Sequence, residues 1–242
     1  NLGLDVLGRR ENGYHDVRMV MQSIYLYDEV KIAKKKESGI TLTTNLKFLP
    51  TGDGNIAYKA AQLLMDEFDL KEGVQITLNK HIPVAAGLAG GSSNAAAVLF
   101  GMNRLFGLRL TQQELMDRGV KLGADVPYCI MRGTVLAEGI GEELSVLPAM
   151  PKCTVLIAKP PISVSTKMVY EALDSKEIVE HPDIDGILEG LRKGDLHKVA
   201  DSMGNVLEDV TIPMHPVIAD IKQVMQDCGA IGAMMSGSGP VS

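Results

Sequence analysis

Apolar and polar positions alternate along the first 50 residues, and this two-residue period is typical of half-buried β-strands. The alternation is clearest over residues 19–25 and 39–43. A Glu-Asn-Gly sequence at 11–13 interrupts it with residues that favour a tight turn. The pattern therefore predicts strands joined by a hairpin in this region, and one more strand where alternation returns at 74–78.

Apolar residues recur at helical spacing in several segments, which are 55–68, 95–106, 111–122, 166–173, 184–192, 196–203 and 217–227. Asn55 is placed to cap the first of these helices, and Thr111 with Glu114 forms a candidate capping box at the third. Shorter apolar runs predict strands at 133–137, 144–147 and 152–158. Because the strands cluster along the chain and do not alternate regularly with helices, we expect an α+β fold with mixed or antiparallel sheets.

The length of the chain allows more than one domain. Its 242 residues, 45% of them hydrophobic, suffice for one large core or two smaller ones. Pro148 and Pro151 interrupt the pattern near the middle, and a predicted strand followed by helices begins after them. We therefore expect an N-terminal domain over residues 1–150 and a C-terminal domain over 151–242.

A glycine-rich loop leads into the Ala-rich helix predicted at 95–106. The loop includes Pro83, Ala85, Gly87, Leu88, Ala89, Gly90, Gly91, Ser92 and Ser93. Glycines let a backbone approach an anion closely, and the start of a helix favours negative charge, so the segment predicts a phosphate site. The serines are placed to cap the helix. The spacing matches neither the P-loop nor the dinucleotide fingerprint. The pattern indicates a nucleotide-dependent phosphotransferase, and the alternative is an ordinary turn before a core helix.

Charge and cysteine usage narrow the class of protein. A net charge of −6 and a pI near 5.4 argue against nucleic acid or an acidic membrane surface as the partner. The three cysteines form no C-x-x-C pair and lie in apolar surroundings, which predicts reduced core thiols. No apolar run is as long as a membrane span, and no signal sequence opens the chain. We expect a cytoplasmic protein that acts on a small molecule, as a monomer or homodimer.

The glycine loop, the segment 122–127 and the Ser-Gly-Ser-Gly-Pro turn at 236–240 together resemble the GHMP small-molecule kinases in order and spacing. The resemblance covers nearly the whole chain. It implies a two-domain fold with the active site in the cleft between the halves, and ATP and Mg²⁺ as cofactors. By the same resemblance the loop residues bind ATP, Asn55 lies near the adenine, and Ser93 is a candidate magnesium ligand. Asp125 orients or deprotonates the acceptor hydroxyl, whereas from the residues alone it also fits a tight turn before Pro127.

Two further segments narrow the resemblance within that family. Tyr14 with His15, and the segment 159–170 with Thr166 and Tyr170, resemble the branch that phosphorylates the 2-hydroxyl of a cytidyl diphosphate of methylerythritol, in the non-mevalonate isoprenoid route. The resemblance implies that His15 hydrogen-bonds the cytosine edge, that Tyr14 and Tyr170 sandwich the ring, and that Thr166 lies at the substrate. Aromatic faces and an imidazole suit these roles. The alternatives are a hairpin tip for the first pair and a core helix position for Tyr170.

Other interpretations of the sequence stay open. In this family a Lys stands two residues before the position matching Asn1, and further structure follows the turn at 236–240, so we expect both ends to be truncated. One alternative is a GHMP kinase for homoserine, mevalonate or a sugar, with Tyr14 and His15 only structural. A second is a nucleotide-binding module without catalysis.

Overall fold

A computed structural model describes residues 1–176, 178 and 180–242 of the chain. Helices and sheets are combined in the α+β manner expected from the sequence. The chain divides into two compact units, one formed by residues 1–24, 85–88 and 132–242 and the other by 25–84 and 89–131. We call them the five-stranded unit and the three-stranded unit. The boundary predicted at residue 150 separates an N-terminal from a C-terminal domain along the sequence. The two compact units are defined by contacts instead, so this boundary stays a prediction.

The five-stranded unit is built on a mostly antiparallel sheet. Its strands are β1 (Gly3–Arg9), β2 (His15–Gln22), β6 (Thr134–Glu138), β7 (Glu143–Val146) and β8 (Gly204–Asn205). They lie in the order β7-β6-β2-β1-β8, and the β1–β8 pair is parallel. The hairpin predicted around residues 11–13 joins β1 to β2 and sets Arg9 opposite His15. This hairpin therefore carries two of the predicted site residues, Tyr14 and His15, at its tip.

Helices complete the five-stranded unit. They are α5 (Thr166–Leu173), α6 (Ile184–Lys193), α7 (Leu196–Ser202), α8 (Glu208–Met214) and α9 (Val217–Asp227). Ile187 and Leu191 of α6 pack with Leu2, Val20 and other apolar side chains in one buried cluster. A Cβ at Gly3 would lie 2.6 Å from Ile187 Cδ1, so α6 approaches β1 as closely as it does because this position is glycine.

The three-stranded unit combines a small sheet with four helices among its described residues. Its elements are β3 (Glu29–Lys35), β4 (Ile40–Thr44), α1 (Ile56–Glu67), β5 (Gly73–Asn79), α2 (Gly90–Phe106), α3 (Gln112–Gly119) and α4 (Val126–Met131). The central strand β5 pairs antiparallel with β3 and parallel with β4. A Cβ at Gly101 would lie 2.5 Å from Ile32 Cδ1, so α2 packs directly on this sheet. The predicted Asn55 cap and Thr111–Glu114 capping box are both present.

Some predictions of local structure are wrong. The segment 152–158 is not a strand. Its backbone hydrogen bonds among the described residues are at its last residue, where Ala158 and Ser242 each donate an N–H to the main-chain oxygen of the other. A short apolar run forms a strand only where a neighbouring strand pairs with it. The short helices α4 and α8 were not predicted, and α8 contains Pro213.

The cysteines differ from the expectation of core thiols. Cys153 and Cys228 are exposed, and only Cys129 is partly buried. Burial raises the pKa of the Cys129 thiol to about 12, so it stays protonated at neutral pH. Over the described residues, no helix has both the length and the apolar character that a membrane crossing requires.

Candidate active site

The glycine loop has an unusual backbone. Three of its residues, Ala85, Gly87 and Ala89, have positive φ angles of 51°, 74° and 49°. Alanine rarely adopts this left-handed conformation, which costs about 1–2 kcal/mol per residue. Strained conformations of this kind concentrate where a backbone must meet a ligand. The backbone of the loop between Pro83 and Gly90 is therefore compatible with the predicted phosphate site, and ATP binding there stays a prediction.

The first turn of α2 differs from the prediction. The helix begins at Gly90 with Ala89 as its N-cap, so Ser92 and Ser93 lie inside the helix, and the prediction that they cap it is wrong. The Ser93 hydroxyl donates to the main-chain oxygen of Gly90 at 2.9 Å. No side chain of the described residues caps α2. Its first N–H groups are accordingly available to an anion, and the helix dipole favours one there.

Ile56, the first residue of α1, lies between two parts of the predicted site in the three-stranded unit. A Cβ at Gly91 would lie 3.5 Å from Ile56 Cγ2, and one at Gly123 would lie 3.5 Å from Ile56 Cδ1. The Ser92 hydroxyl oxygen is 4.0 Å from the same Cβ position of Gly123. The start of α2 and the turn that carries Asp125 are therefore neighbours.

Asp125 stands directly before α4, and its main-chain oxygen accepts a hydrogen bond from the N–H of Cys129 at 3.1 Å. This bond is the first helical bond of α4, so the backbone of Asp125 supports the start of that helix. The residue is partly buried, and desolvation raises the pKa of its carboxyl above the ordinary range. A carboxylate with a raised pKa is a stronger proton acceptor, which suits general base catalysis.

A buried ionic cluster lies next to the start of α2. Lys80 Nζ contacts Asp28 Oδ2 and donates to Asn94 Oδ1 at 3.0 Å. The Lys80 and Asp28 side chains are only 5% and 1% exposed. Asn94 belongs to the second turn of α2, and a Cβ at Gly90 would lie 3.3 Å from Lys80 Nζ. The cluster therefore fixes the first turns of α2 against the end of β5.

Asn55 caps α1 as predicted. Its Oδ1 accepts from the N–H of Ala57 at 2.9 Å, and its Nδ2 donates to the main-chain oxygen of Pro50 at 2.9 Å. The side chain is buried and holds the loop before α1. A contact between Asn55 and adenine stays a prediction.

The tip of the β1–β2 hairpin presents Tyr14. The N–H of Tyr14 donates to Asn12 Oδ1 at 3.1 Å, and Gly13 has a φ of 86°, as a tight turn requires. The Tyr14 residue is 59% exposed. An exposed aromatic ring at the tip of a hairpin is available to stack on a planar ligand.

His15 follows Tyr14 and meets two residues of the α5 region. The centroids of the His15 and Tyr170 rings are 4.8 Å apart with an interplanar angle of 40°. His15 Nε2 lies 2.6 Å from Asp174 Oδ1, and Arg9 Nη1 lies 3.2 Å from Asp174 Oδ2. The structure thus brings together His15 and Tyr170, which the sequence analysis assigned to one nucleobase site.

The second glycine turn, residues 236–240, contacts two other predicted site residues within the five-stranded unit. The Ser236 hydroxyl donates to the main-chain oxygen of Gly87 at 2.9 Å, and the hydroxyls of Thr166 and Ser238 are 2.8 Å apart. A Cβ at Gly87 would lie 2.3 Å from the main-chain oxygen of Ser236. This close approach requires glycine at position 87.

Sequence reasoning missed three residues that hold these segments. Asp174 comes four residues after Tyr170, a helical spacing that puts both on one face, but nothing in the sequence indicates its contact with His15. Lys80 is a cation three residues before Pro83, where the glycine loop begins. Its closeness in sequence to the predicted phosphate site is the signal that could have identified it. Asn205 donates to the main-chain oxygens of Met235 and Gly237, both at 2.8 Å, and nothing in the local sequence indicates that distant contact.

The described residues contain no group of three or more His, Cys, Asp or Glu side chains arranged to hold a metal ion. The donors gathered at the start of α2 are instead backbone N–H groups and the Ser92 hydroxyl, since the Ser93 hydroxyl already donates to Gly90. These groups suit the phosphates of a nucleotide.

Comparison with known proteins matches both halves of the chain. The family model described as GHMP kinases N terminal domain matches residues 55–133, and the one described as GHMP kinases C terminal matches 187–241. A 4-diphosphocytidyl-2-C-methyl-D-erythritol kinase of Lachnospira eligens is 60% identical over 99% of this chain and 83% of its own length.

Solved structures agree with the family match. The crystal structure of a 4-(cytidine 5'-diphospho)-2C-methyl-D-erythritol kinase is 32% identical, has a TM-score of 0.84, and covers 100% of this chain and 85% of its own. A homoserine kinase from Cytophaga hutchinsonii has a TM-score of 0.73 at 21% identity, covering 98% of this chain and 82% of its own. The second likeness indicates a shared fold and nothing more.

Proposed function

This chain belongs to the GHMP kinase family, and on that premise we propose that it transfers the γ-phosphate of ATP to the 2-hydroxyl of 4-diphosphocytidyl-2-C-methyl-D-erythritol. The reaction is a step of the non-mevalonate route to isoprenoid precursors. The observation that carries the choice of substrate is the His15–Tyr170 pair beside the exposed Tyr14 ring. Neither homoserine nor mevalonate has a planar base that would use these aromatic side chains. The use of ATP supports a cytoplasmic location, which is part of the proposal.

The nucleobase binds at the tip of the β1–β2 hairpin. Tyr14 and Tyr170 supply aromatic faces for the cytosine ring, and His15 supplies a ring nitrogen for its edge. Thr166, at the first turn of α5, contacts the same substrate. Its hydroxyl already lies 2.8 Å from that of Ser238, which fixes its direction. These residues select the substrate and do not take part in phosphoryl transfer.

The glycine loop binds the phosphates of ATP. Backbone N–H groups between Gly87 and Ser93 donate to phosphate oxygens, and the dipole of α2 adds favourable charge at its start. Asp125 accepts the proton of the 2-hydroxyl as that oxygen attacks the γ-phosphorus in line with the departing ADP oxygen. The raised pKa of Asp125 supports this role because the carboxylate then takes up the proton more readily. No phosphoenzyme forms.

Magnesium accompanies ATP, and the start of α2 fits one oxygen contact to it. The Ser93 hydroxyl donates its proton to the main-chain oxygen of Gly90. The lone pairs of the Ser93 hydroxyl oxygen are therefore free to bind a cation. Mg²⁺ is usually bound by few protein oxygens together with substrate phosphates, so a site without an acidic cluster suits it. When bound, the ion neutralises charge on the transferred phosphate.

A competition assay tests the nucleobase assignment. Cytidine monophosphate should inhibit competitively against the cytidyl substrate, and Tyr14→Ala and His15→Ala should each raise the KM for that substrate and leave the KM for ATP unchanged. Tyr25→Ala is the matched control because this tyrosine is fully exposed and belongs to the three-stranded unit. Unchanged KM values in the first two variants, with no inhibition by the nucleotide, would refute the proposal.

A further inference from the structure

The contact between Asp174 and His15 determines which ring nitrogen of the histidine carries a proton. His15 Nε2 lies 2.6 Å from Asp174 Oδ1, and the His15 side chain is only 10% exposed. An ionised carboxylate accepts hydrogen bonds and donates none, so the proton of the neutral ring lies on Nε2. In this neutral tautomer Nδ1 has no proton and acts as a hydrogen-bond acceptor.

Two further contacts keep this arrangement in place. Arg9 Nη1 lies 3.2 Å from Asp174 Oδ2, so the second carboxylate oxygen is also paired. Tyr170, one helical turn before Asp174, packs against the imidazole with ring centroids 4.8 Å apart and an interplanar angle of 40°. Asp174 and Tyr170 thus hold the histidine ring from two directions. The ring has a defined direction before any ligand binds.

We propose that Asp174 is a positioning residue that fixes His15 as a hydrogen-bond acceptor and so makes the site select cytosine over uracil. The inference rests on the proposed cytidyl substrate. The Watson–Crick edge of cytosine offers one donor, the 4-amino group, beside the acceptors N3 and O2. An unprotonated Nδ1 therefore pairs with the 4-amino group. Uracil presents the O4 acceptor at that position, and two acceptors repel each other.

Removing the carboxylate should weaken binding and selectivity together. In Asp174→Leu the His15 ring is free to turn about its χ2 angle and present either nitrogen to the base. We expect the KM for the cytidyl substrate to rise about tenfold, as for a lost hydrogen bond to a charged group, with kcat within about twofold of wild type. The ratio of kcat/KM for the cytidyl substrate to that for its uridyl analogue should fall about tenfold.

Two variants separate positioning from a general structural effect. Asp174→Asn keeps an oxygen that accepts from Nε2, so it should recover part of the selectivity lost in the leucine variant. Asp185→Asn removes another carboxylate of the same unit, which is 80% exposed and accepts from Arg18 at 2.7 Å, and should behave as wild type. Thermal unfolding of all three variants shows whether any of them is misfolded.

Nitrogen NMR of the histidine rings reads the tautomer without any turnover. In the wild-type protein the His15 resonances, identified by their loss in His15→Gln, should show a protonated Nε2 and an unprotonated Nδ1. In Asp174→Leu they should move towards values of exchanging tautomers. A protonated Nδ1 in the wild-type protein would overturn the inference.

The kinetic outcomes distinguish this inference from the proposed function. Selectivity for cytidyl over uridyl substrate that persists undiminished in Asp174→Leu would overturn the role of Asp174 and leave the cytidyl kinase assignment intact. A wild-type protein that phosphorylates neither compound would overturn the proposed function and, with it, the cytosine selectivity argued here.

Discussion

Replacement of Lys80 by methionine tests the role of the buried ionic cluster. Methionine matches the lysine chain in length, so the change removes the charge and leaves most of the packing. Asp28 loses its cation, and Asn94 Oδ1 loses a donor at 3.0 Å. The remaining donors to Asp28 are Asn94 Nδ2 at 2.8 Å and the N–H groups of His81 and Ile82 at 2.6 and 2.8 Å.

The expected loss of stability follows from the burial of the pair. Lys80 and Asp28 are only 5% and 1% exposed, so water does not replace the missing partner. Removing one member of a buried ion pair costs about 3–5 kcal/mol. Urea denaturation should therefore give a free energy of unfolding lower by that amount. Lys71→Met is the control, since it removes the same charge from an ion pair with Asp69 in which both side chains are 80% exposed, and it should leave the unfolding free energy nearly unchanged.

The pH dependence gives a second test of the same variant. In the wild-type protein burial would raise the pKa of Asp28, but hydrogen bonds from Lys80 and from two backbone N–H groups outweigh it and hold the pKa below its ordinary range. Asp28 therefore contributes stability above the unfolded-state pKa near about 4, and this contribution is lost as pH falls through the lower folded-state value. Without Lys80 the folded-state pKa should rise, so folding takes up a proton, and the deficit of the variant should shrink between neutral pH and about pH 4.

Two results would refute this reasoning. One is a free energy of unfolding for Lys80→Met within about 1 kcal/mol of the wild-type value, as expected only for a solvated pair. The other is a deficit that stays constant from neutral pH to the acidic range, because an uncompensated buried carboxylate must titrate there.

Three other variants test separate parts of the site. Asp125→Asn should lower kcat by about 10²-fold or more and leave the ATP affinity measured by calorimetry unchanged, and full turnover in this variant would exclude the base role. Because desolvation raises the pKa of Asp125, the acidic limb of the wild-type pH–rate profile should lie above about pH 4. Gly87→Ala places a Cβ 2.3 Å from the main-chain oxygen of Ser236 in the second glycine turn. It should lower the thermal stability more than Gly194→Ala, because Gly194 has a similar φ of 67° but no neighbouring atom within 4 Å of its Cβ position. Equal shifts of the melting temperature would contradict the close approach. Asn205→Leu removes the amide that donates to the buried carbonyl of Met235 and to the partly buried carbonyl of Gly237. It should cost about 1–3 kcal/mol in urea denaturation, whereas no loss would show that the turn does not need this amide.

Local signals explain why some elements were predictable from the sequence. The helices α1 and α3 have side-chain caps, at Asn55 and Thr111, that act within a few residues of the helix start. The strand β5 alternates cleanly because one side of its sheet is buried. In each case the information lies in neighbouring residues, so the pattern indicates the structure directly.

Other features depend on contacts between distant parts of the chain. α2 begins with Gly90 and Gly91, which have poor helix propensity, and the buried cluster of Lys80 and Asp28 supports that start from outside the helix. The segment 152–158 has the pattern of a strand, yet a pattern does not supply a pairing partner.

The candidate site shows the same distinction. The glycine loop, Asp125 and the Tyr14–His15 pair were predicted from motifs that resemble those of the family, because each motif is contiguous in sequence, and their roles stay predictions. Asp174 was missed because its role comes from a contact with His15, 159 positions away. Only the folded chain shows which nitrogen of that histidine is committed to an internal hydrogen bond.

Identification of the phosphorylated product tests the central claim most directly. The protein is incubated with ATP, Mg²⁺ and equal amounts of 4-diphosphocytidyl-2-C-methyl-D-erythritol, homoserine and mevalonate, and the products are examined by ³¹P NMR and mass spectrometry. We predict ADP and a single new phosphate ester, on the 2-hydroxyl of the cytidyl compound. Phosphohomoserine or phosphomevalonate as the product would contradict the substrate assignment, and bound ATP without any ester would contradict the assignment as a kinase.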